Sequence, residues 1–188
     1  WASFVGMSTS DFSFDPHGWL EAQLGRELDR AGIRVGRLSR FDDRTNALGP
    51  MPGVKDYIEA ARRFGFGLAI ASSSPHSWVD RHLKRLGLSE QFQAIQCRED
   101  VAKGKPDPDL YQAAVAALGL VPAEAIAIED SAPGVAAAKR AGLYCIVVPT
   151  NLTRRSSFDQ ADLVIDSLAT LPLEGLLAKL RSGGRTEN

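Results

Sequence analysis

From Pro52 onward, short apolar runs alternate with stretches of helical periodicity, and this alternation limits the fold more than any other feature. Val54, Tyr57, Ile58, Ala61 and Phe64 share one helical face, and Gly65 and Gly67 end that segment. Leu68-Ala69-Ile70-Ala71 follows as a fully apolar strand. Pro75 opens a helix with Trp78, Val79, His82, Leu83 and Leu86 on its inner side and Gly87 behind it. Residues 92–97 predict the next strand, and Asp107 with Pro108 predicts the capped start of another helix. Strands over 125–128, 143–148 and 162–165, with helices over 133–141 and 173–180, complete the series. Such alternation requires right-handed crossovers, which place helices on both faces of a parallel sheet. The expected fold is α/β, a Rossmann-like three-layer parallel sheet that binds ligands beyond the carboxyl ends of its strands.

Residues 1–50 follow a different pattern. Trp19, Leu20, Leu24 and Leu28 mark one amphipathic helix among loop-like stretches, part of a separate unit joined through Leu48-Gly49-Pro50. The 22 Lys and Arg residues nearly balance 23 Asp and Glu, for a formal charge of −1. With no basic stripe, neither nucleic acid nor an anionic membrane is the expected partner. No apolar run approaches the roughly 18 residues of a membrane span, and no signal-peptide pattern opens the sequence. Cys97 and Cys145 lie in apolar, strand-like runs and are expected to be buried, reduced packing residues. A cytoplasmic location follows from these features as an expectation. Because the sequence starts at Trp1 rather than Met, a preceding segment is expected to be absent from it.

Three motifs fall at strand ends. Ser72-Ser73-Ser74-Pro75 brings hydroxyls and free backbone N–H groups to a helix start, which suits an anion and equally suits a simple turn. In Lys103-Gly-Lys-Pro-Asp-Pro-Asp-Leu-Tyr111, Lys105 precedes a proline, so its backbone is kept out of the helix that follows. Lys103 is its rival and lies farther from the capped start. In Ala125-Ile-Ala-Ile-Glu-Asp-Ser-Ala-Pro-Gly134, the adjacent carboxylates Glu129 and Asp130 end a buried strand. Oxygen donors there, with Gly134 allowing close approach, suit a hard cation such as Mg²⁺. His17, His76 and His82 have no partners at metal-ligand spacing and are expected to be structural or exposed.

In their order and spacing these motifs resemble the haloacid dehalogenase-like (HAD) superfamily, in its helical-cap, β-phosphoglucomutase-like branch. The resemblance runs from about Phe4 to Leu180. It implies a partial helical cap at 1–50, a HAD core at 51–181 and a disordered tail at 182–188. It also implies that Ser72, with Ser73 beside it, binds a transferring phosphoryl group and that Lys105 neutralises that group. Glu129 and Asp130 would hold Mg²⁺, Asp130 directly. Phe4-Val-Gly-Met-Ser8 resembles the cap loop, with Gly6 and Ser8 facing substrate.

The family's nucleophile is the first aspartate of an Asp-x-Asp-Gly-Thr-like segment at the end of the first strand. It forms an aspartyl-phosphate that water then hydrolyses. No such segment is present, so the first strand is expected to be missing and the chain inactive by itself. Asp11 and Asp15 are four apart rather than two and are expected at the surface. The implied activity is a Mg²⁺-dependent phosphatase acting on a small phosphorylated metabolite. A sugar-phosphate mutase is disfavoured, because Met7-Ser-Thr-Ser-Asp11 lacks the basic residue that would hold a second phosphate. The rival from another class is a non-catalytic HAD-like binding protein.

Overall fold

The computed structural model describes residues 3–7 and 49–183. Their strands form one sheet in the order β3-β2-β1-β4-β5-β6, with every pairing parallel. The strands are β1 (Ser3–Met7), β2 (Leu68–Ala71), β3 (Ala94–Gln96), β4 (Ala125–Glu129), β5 (Tyr144–Val147) and β6 (Leu163–Val164). The helices are α1 (Val54–Arg63), α2 (His76–Leu86), α3 (Asp109–Ala117), α4 (Ala132–Arg140) and α5 (Leu173–Gly183). Helix–strand alternation from α1 onward agrees with the sequence reading.

The two faces of the sheet are unequal, and the period-2 geometry of strands explains how. Leu68, Ile70, Ile126, Ile128 and Ile146 join a core cluster with Val54, Tyr57, Ile58, Val79, Leu83, Leu173 and Leu176, from α1, α2 and α5. Ala69, Ala71, Ala125, Ala127, Cys145 and Val147 join the opposite cluster with Leu110, Tyr111, Ala114, Val135 and Ala138, from α3 and α4. Large side chains thus fill one interlayer space and small ones the other.

Helix ends follow local chemistry. Gly87 caps α2 in the left-handed region at φ 69°, and Ser131 caps α4 by accepting from the Gly134 N–H. Helix α3 begins at Asp109 with Pro108 as its cap, one residue later than the cap at Asp107 and start at Pro108 that the sequence predicts. The Asp107 N–H turns back to the Gly104 carbonyl, and the Asp109 carboxylate accepts from the Lys103 N–H instead. Helix α5 extends to Gly183, into the predicted tail, and residues 184–188 lie outside the described part.

The largest departure concerns the N-terminal residues. Phe4–Ser8 was expected in a substrate-facing cap loop, with the centre of the sheet short of a strand. Instead Ser3–Met7, which includes Gly6, is the central strand, pairing Phe4 with Leu68 on one side and with Ile126 on the other. Its register shifts between Val5 and Met7 on the β2 side. Unpaired, β2 and β4 would leave rows of N–H and C=O groups without partners in the middle of the sheet. Ser3–Met7 pairs with both rows, a demand that motif matching does not register.

Accordingly, one compact unit comprises Trp1–Asp11 with Pro50–Asn188 and a second comprises Phe12–Gly49, rather than a division after residue 50. The expected helical cap, Ser8, Asp11, Asp15 and His17 lie outside the described residues. No helix among the described residues is long and apolar enough to cross a membrane.

Candidate functional site

Strands β2 and β4 flank β1, so the loops leaving their carboxyl ends border the same edge of the sheet. Ser72 and Ser74 are buried after β2 and Ser73 is exposed. The Ser72 N–H donates to the Gln96 carbonyl at 2.8 Å, and the Ser72 hydroxyl accepts from the Ser74 N–H at 3.0 Å. These bonds fold the three serines into a tight turn ahead of α2. Gly104 adjoins that turn: a Cβ placed on it would stand 3.9 Å from the Ser73 hydroxyl.

The same loop delivers Lys105, whose preceding and following contacts fix it firmly. The Lys105–Pro106 peptide is cis, and the Pro106 carbonyl accepts from Arg140 at the end of α4 at 2.8 Å. The Lys105 ammonium lies 2.5 Å from Glu129 Oε1, with side-chain exposures of only 6% and 0%. It also sits 4.9 Å from the centre of the Tyr111 ring, a cation–π arrangement. Lys103 does not compete for this position: its exposed side chain reaches only Asp107, at 4.0 Å.

Glu129 is saturated. Oε1 accepts from Lys105 and, at 2.5 Å, from the Tyr111 hydroxyl. Oε2 accepts from the Asp130 N–H, the Ser131 N–H and the Ser131 hydroxyl at 3.1–3.4 Å. A carboxylate offers about four lone-pair sites, so these donors leave Glu129 no oxygen for a cation. Asp130 follows it, buried. A carboxylate such as Asp130 is the donor type that suits a hard cation, and Glu129 holds the lysine and the loop. Sequence reasoning grouped both carboxylates as ligands; the arrangement separates their tasks.

Gly134 does allow a close approach, but the group that approaches is Glu129. A Cβ at Gly134 would fall 2.0–2.1 Å from its carboxylate atoms. In the sequence Tyr111 stood only as the last residue of the motif that begins at Lys103. Burial first, and then the neighbouring Glu129 charge, push its phenol well above the usual tyrosine range, so it stays a hydrogen-bond donor. The signal that was available is that a tyrosine on a fully buried helix face needs a partner for its hydroxyl.

A second group lies at the end of β3. His76 Nε2 is 2.6 Å from Asp100 Oδ2, which also accepts from the Cys97 N–H at 2.6 Å. Those bonds place His76 beside residues more than twenty positions away, a meeting that spacing along the chain did not reveal. The backbone N–H of Cys97 foremost, opposed by burial and aided by His76, holds the Asp100 carboxyl below its ordinary range. Cys97 and Cys145 are both buried and free, as expected. His82 is buried against Trp78, ring centres 4.0 Å apart, which makes it a packing residue.

Residues 14–142 match the family model for haloacid dehalogenase-like hydrolases. The YhcW protein of Bacillus subtilis (strain 168) is 39% identical over 97% of this chain and 81% of its own length. Hexitol phosphatase B of Escherichia coli (strain K12) is 32% identical over 68% of this chain and 58% of its own. The crystal structure of CbbY from Rhodobacter sphaeroides in complex with phosphate superposes with a TM-score of 0.72 at 30% identity. It covers 94% of this chain and 99% of that one. With that match extending over most of its length, the chain belongs to the haloacid dehalogenase-like hydrolase family.

Proposed function

We propose that this fold serves a Mg²⁺-dependent phosphohydrolase acting on a small phosphomonoester, and that the 188 residues alone do not complete the reaction. One observation carries the reading: a buried lysine, Lys105, clamped by Glu129 and Tyr111, in a loop that adjoins the serine turn. In this role the Ser72 and Ser73 hydroxyls and nearby N–H groups bind phosphoryl oxygens, and Lys105 offsets their charge. Asp130 holds the cation, which supplies further charge neutralisation when bound. Glu129 and Tyr111 are positioning residues that keep the ammonium in place.

Relatives support the phosphate chemistry. One is named hexitol phosphatase B, and a CbbY variant has been crystallised with xylulose-(1,5)bisphosphate. The nucleophile is the part not accounted for, because neither Ser3–Met7 nor any later strand end carries an Asp-x-Asp-Gly-Thr-like segment. A cytoplasmic location agrees with two free, buried cysteines.

The test is a fusion in which an apolar strand ending in Asp-x-Asp-Gly-Thr replaces Trp1–Met7 at the centre of the sheet, assayed with p-nitrophenyl phosphate and Mg²⁺. Turnover is expected from the fusion and not from the 188-residue chain. Asp130→Asn should abolish turnover, and Lys105→Ala should slow it by about 10² or more. A folded but inert fusion would favour the non-catalytic binding reading. Turnover by the unfused chain would overturn the proposed inactivity and direct attention to Asp11 and Asp15.

A further inference from the structure

The cluster at the end of β3 takes no part in the chemistry above. We propose that His76, Cys97 and Asp100 bind a borderline-soft divalent cation of the Zn²⁺ class, separate from the hard-cation position at Asp130. One ligand atom from each of the three lies within 4.8 Å of the others. They come from two elements: His76 is the first residue of α2, and Cys97 and Asp100 bracket the short 3-10 turn Arg98–Asp100 after β3.

The donors are held in place without an ion. Cys97 and Asp100 bond reciprocally: the Cys97 carbonyl accepts from the Asp100 N–H at 3.0 Å, and the Asp100 carboxylate accepts from the Cys97 N–H. His76 is aimed by its own bonds, Nε2 toward Asp100 and its backbone N–H toward both Glu99 oxygens at 3.1 and 3.3 Å. Asp100 Oδ1 takes no part in these bonds and is available as a ligand atom. Preorganisation of this kind lowers the ordering cost of binding.

Burial also has the right gradient. The sulfur is interior, whereas His76 and Asp100 have side-chain exposures of 37% and 33% and open toward solvent. Three protein ligands with one open side match a tetrahedral zinc position completed by water. Asp80, Glu99 and Asp100 all act on the Cys97 thiol through their charge. That negative surrounding attracts a dication, whose binding releases the thiol proton to solvent. A sulfur–imidazole–carboxylate set selects against Mg²⁺, which prefers oxygen alone. An ion here would tie the start of α2 to the turn after β3. That turn already touches the serine loop, through the Arg98 N–H and the Ser74 carbonyl at 3.2 Å.

The experiment is a Co²⁺ titration of the 188-residue chain, followed by thiolate-to-cobalt charge-transfer absorption. The expected result is saturation at one equivalent, with reversal by Zn²⁺ and not by excess Mg²⁺. Cys145→Ser should keep the band, Cys97→Ser should lose it, and His76→Gln should weaken Co²⁺ binding by at least about tenfold. Absence of the band in the unaltered chain overturns the proposal. So does a band that depends on Cys145 rather than Cys97. Because Cys97 is fully buried, its serine variant is checked for folding by circular dichroism. Should that variant be unfolded, the half-exposed His76→Gln variant decides, and unchanged Co²⁺ affinity there rejects the site.

Discussion

Glu129 governs the candidate site because five donors converge on its two oxygens from three separate segments. Gly134→Ala places a methyl group within about 2 Å of that carboxylate, which must then move or push back α4. Overpacking of this kind costs about 1–3 kcal/mol, and a lower urea midpoint is the expected readout. An unchanged midpoint would mean that Glu129 has a second resting place. Tyr111→Phe keeps the ring over Lys105 and removes only the hydroxyl. Loss of a hydrogen bond to a charged group should lower stability by about 1.5–3 kcal/mol, measured by the same titration. Ser72 and Asp130 stood out in the sequence because each follows an apolar strand directly, and Lys105 because a proline keeps it out of the helix ahead. Tyr111 was not, since its partner lies 18 residues away on another element and the helical pattern records it as one more core residue.

Among the elements, strands and helices from α1 to α5 were legible because their apolar periods are uninterrupted and their ends carry Gly, Pro or Ser. Less legible was the start of α3, where Pro108 is the cap and the Lys103–Asp109 bond fixes the entry. Cys145 in β5 and Cys97 after β3 are shielded by the layers above them. Burial first, and then nearby carboxylates, push both thiols up to about 12. Because the raised value applies only to the folded form, unfolding both exposes the thiols and restores the minor thiolate fraction that reacts at pH 8. Iodoacetamide at pH 8 should therefore label neither cysteine in native protein and both in urea, with mass spectrometry as the check. Rapid native labelling of Cys145 would show that the helices over β5 open readily.

At the scale of the whole molecule, β1 joins two halves of a sheet that otherwise meet only through their helices and loops. Pro has no N–H to give a central ladder and is confined to sheet edges. Val5→Pro should therefore lower the thermal midpoint by much more than Val164→Pro in edge strand β6, with calorimetry of both variants as the comparison. Equal shifts would mean that the sheet holds without its middle strand. This central position for Ser3–Met7 was not legible, because a motif assigns a segment by resemblance, whereas strand pairing assigns it by which backbone groups lack partners.

The unequal faces of the sheet carry a consequence for how such a chain can drift. Under α3 and α4, Ala69, Ala71, Ala125 and Ala127 have almost nothing to lose and no space to gain. A larger side chain meets packed neighbours, glycine loosens the strand and serine buries a hydroxyl. On the other side, Leu68, Ile70, Ile126 and Ile128 can exchange with one another's shapes at small cost. Over many generations the two sides of a single strand therefore keep different clocks, alternating residue by residue between slow and fast.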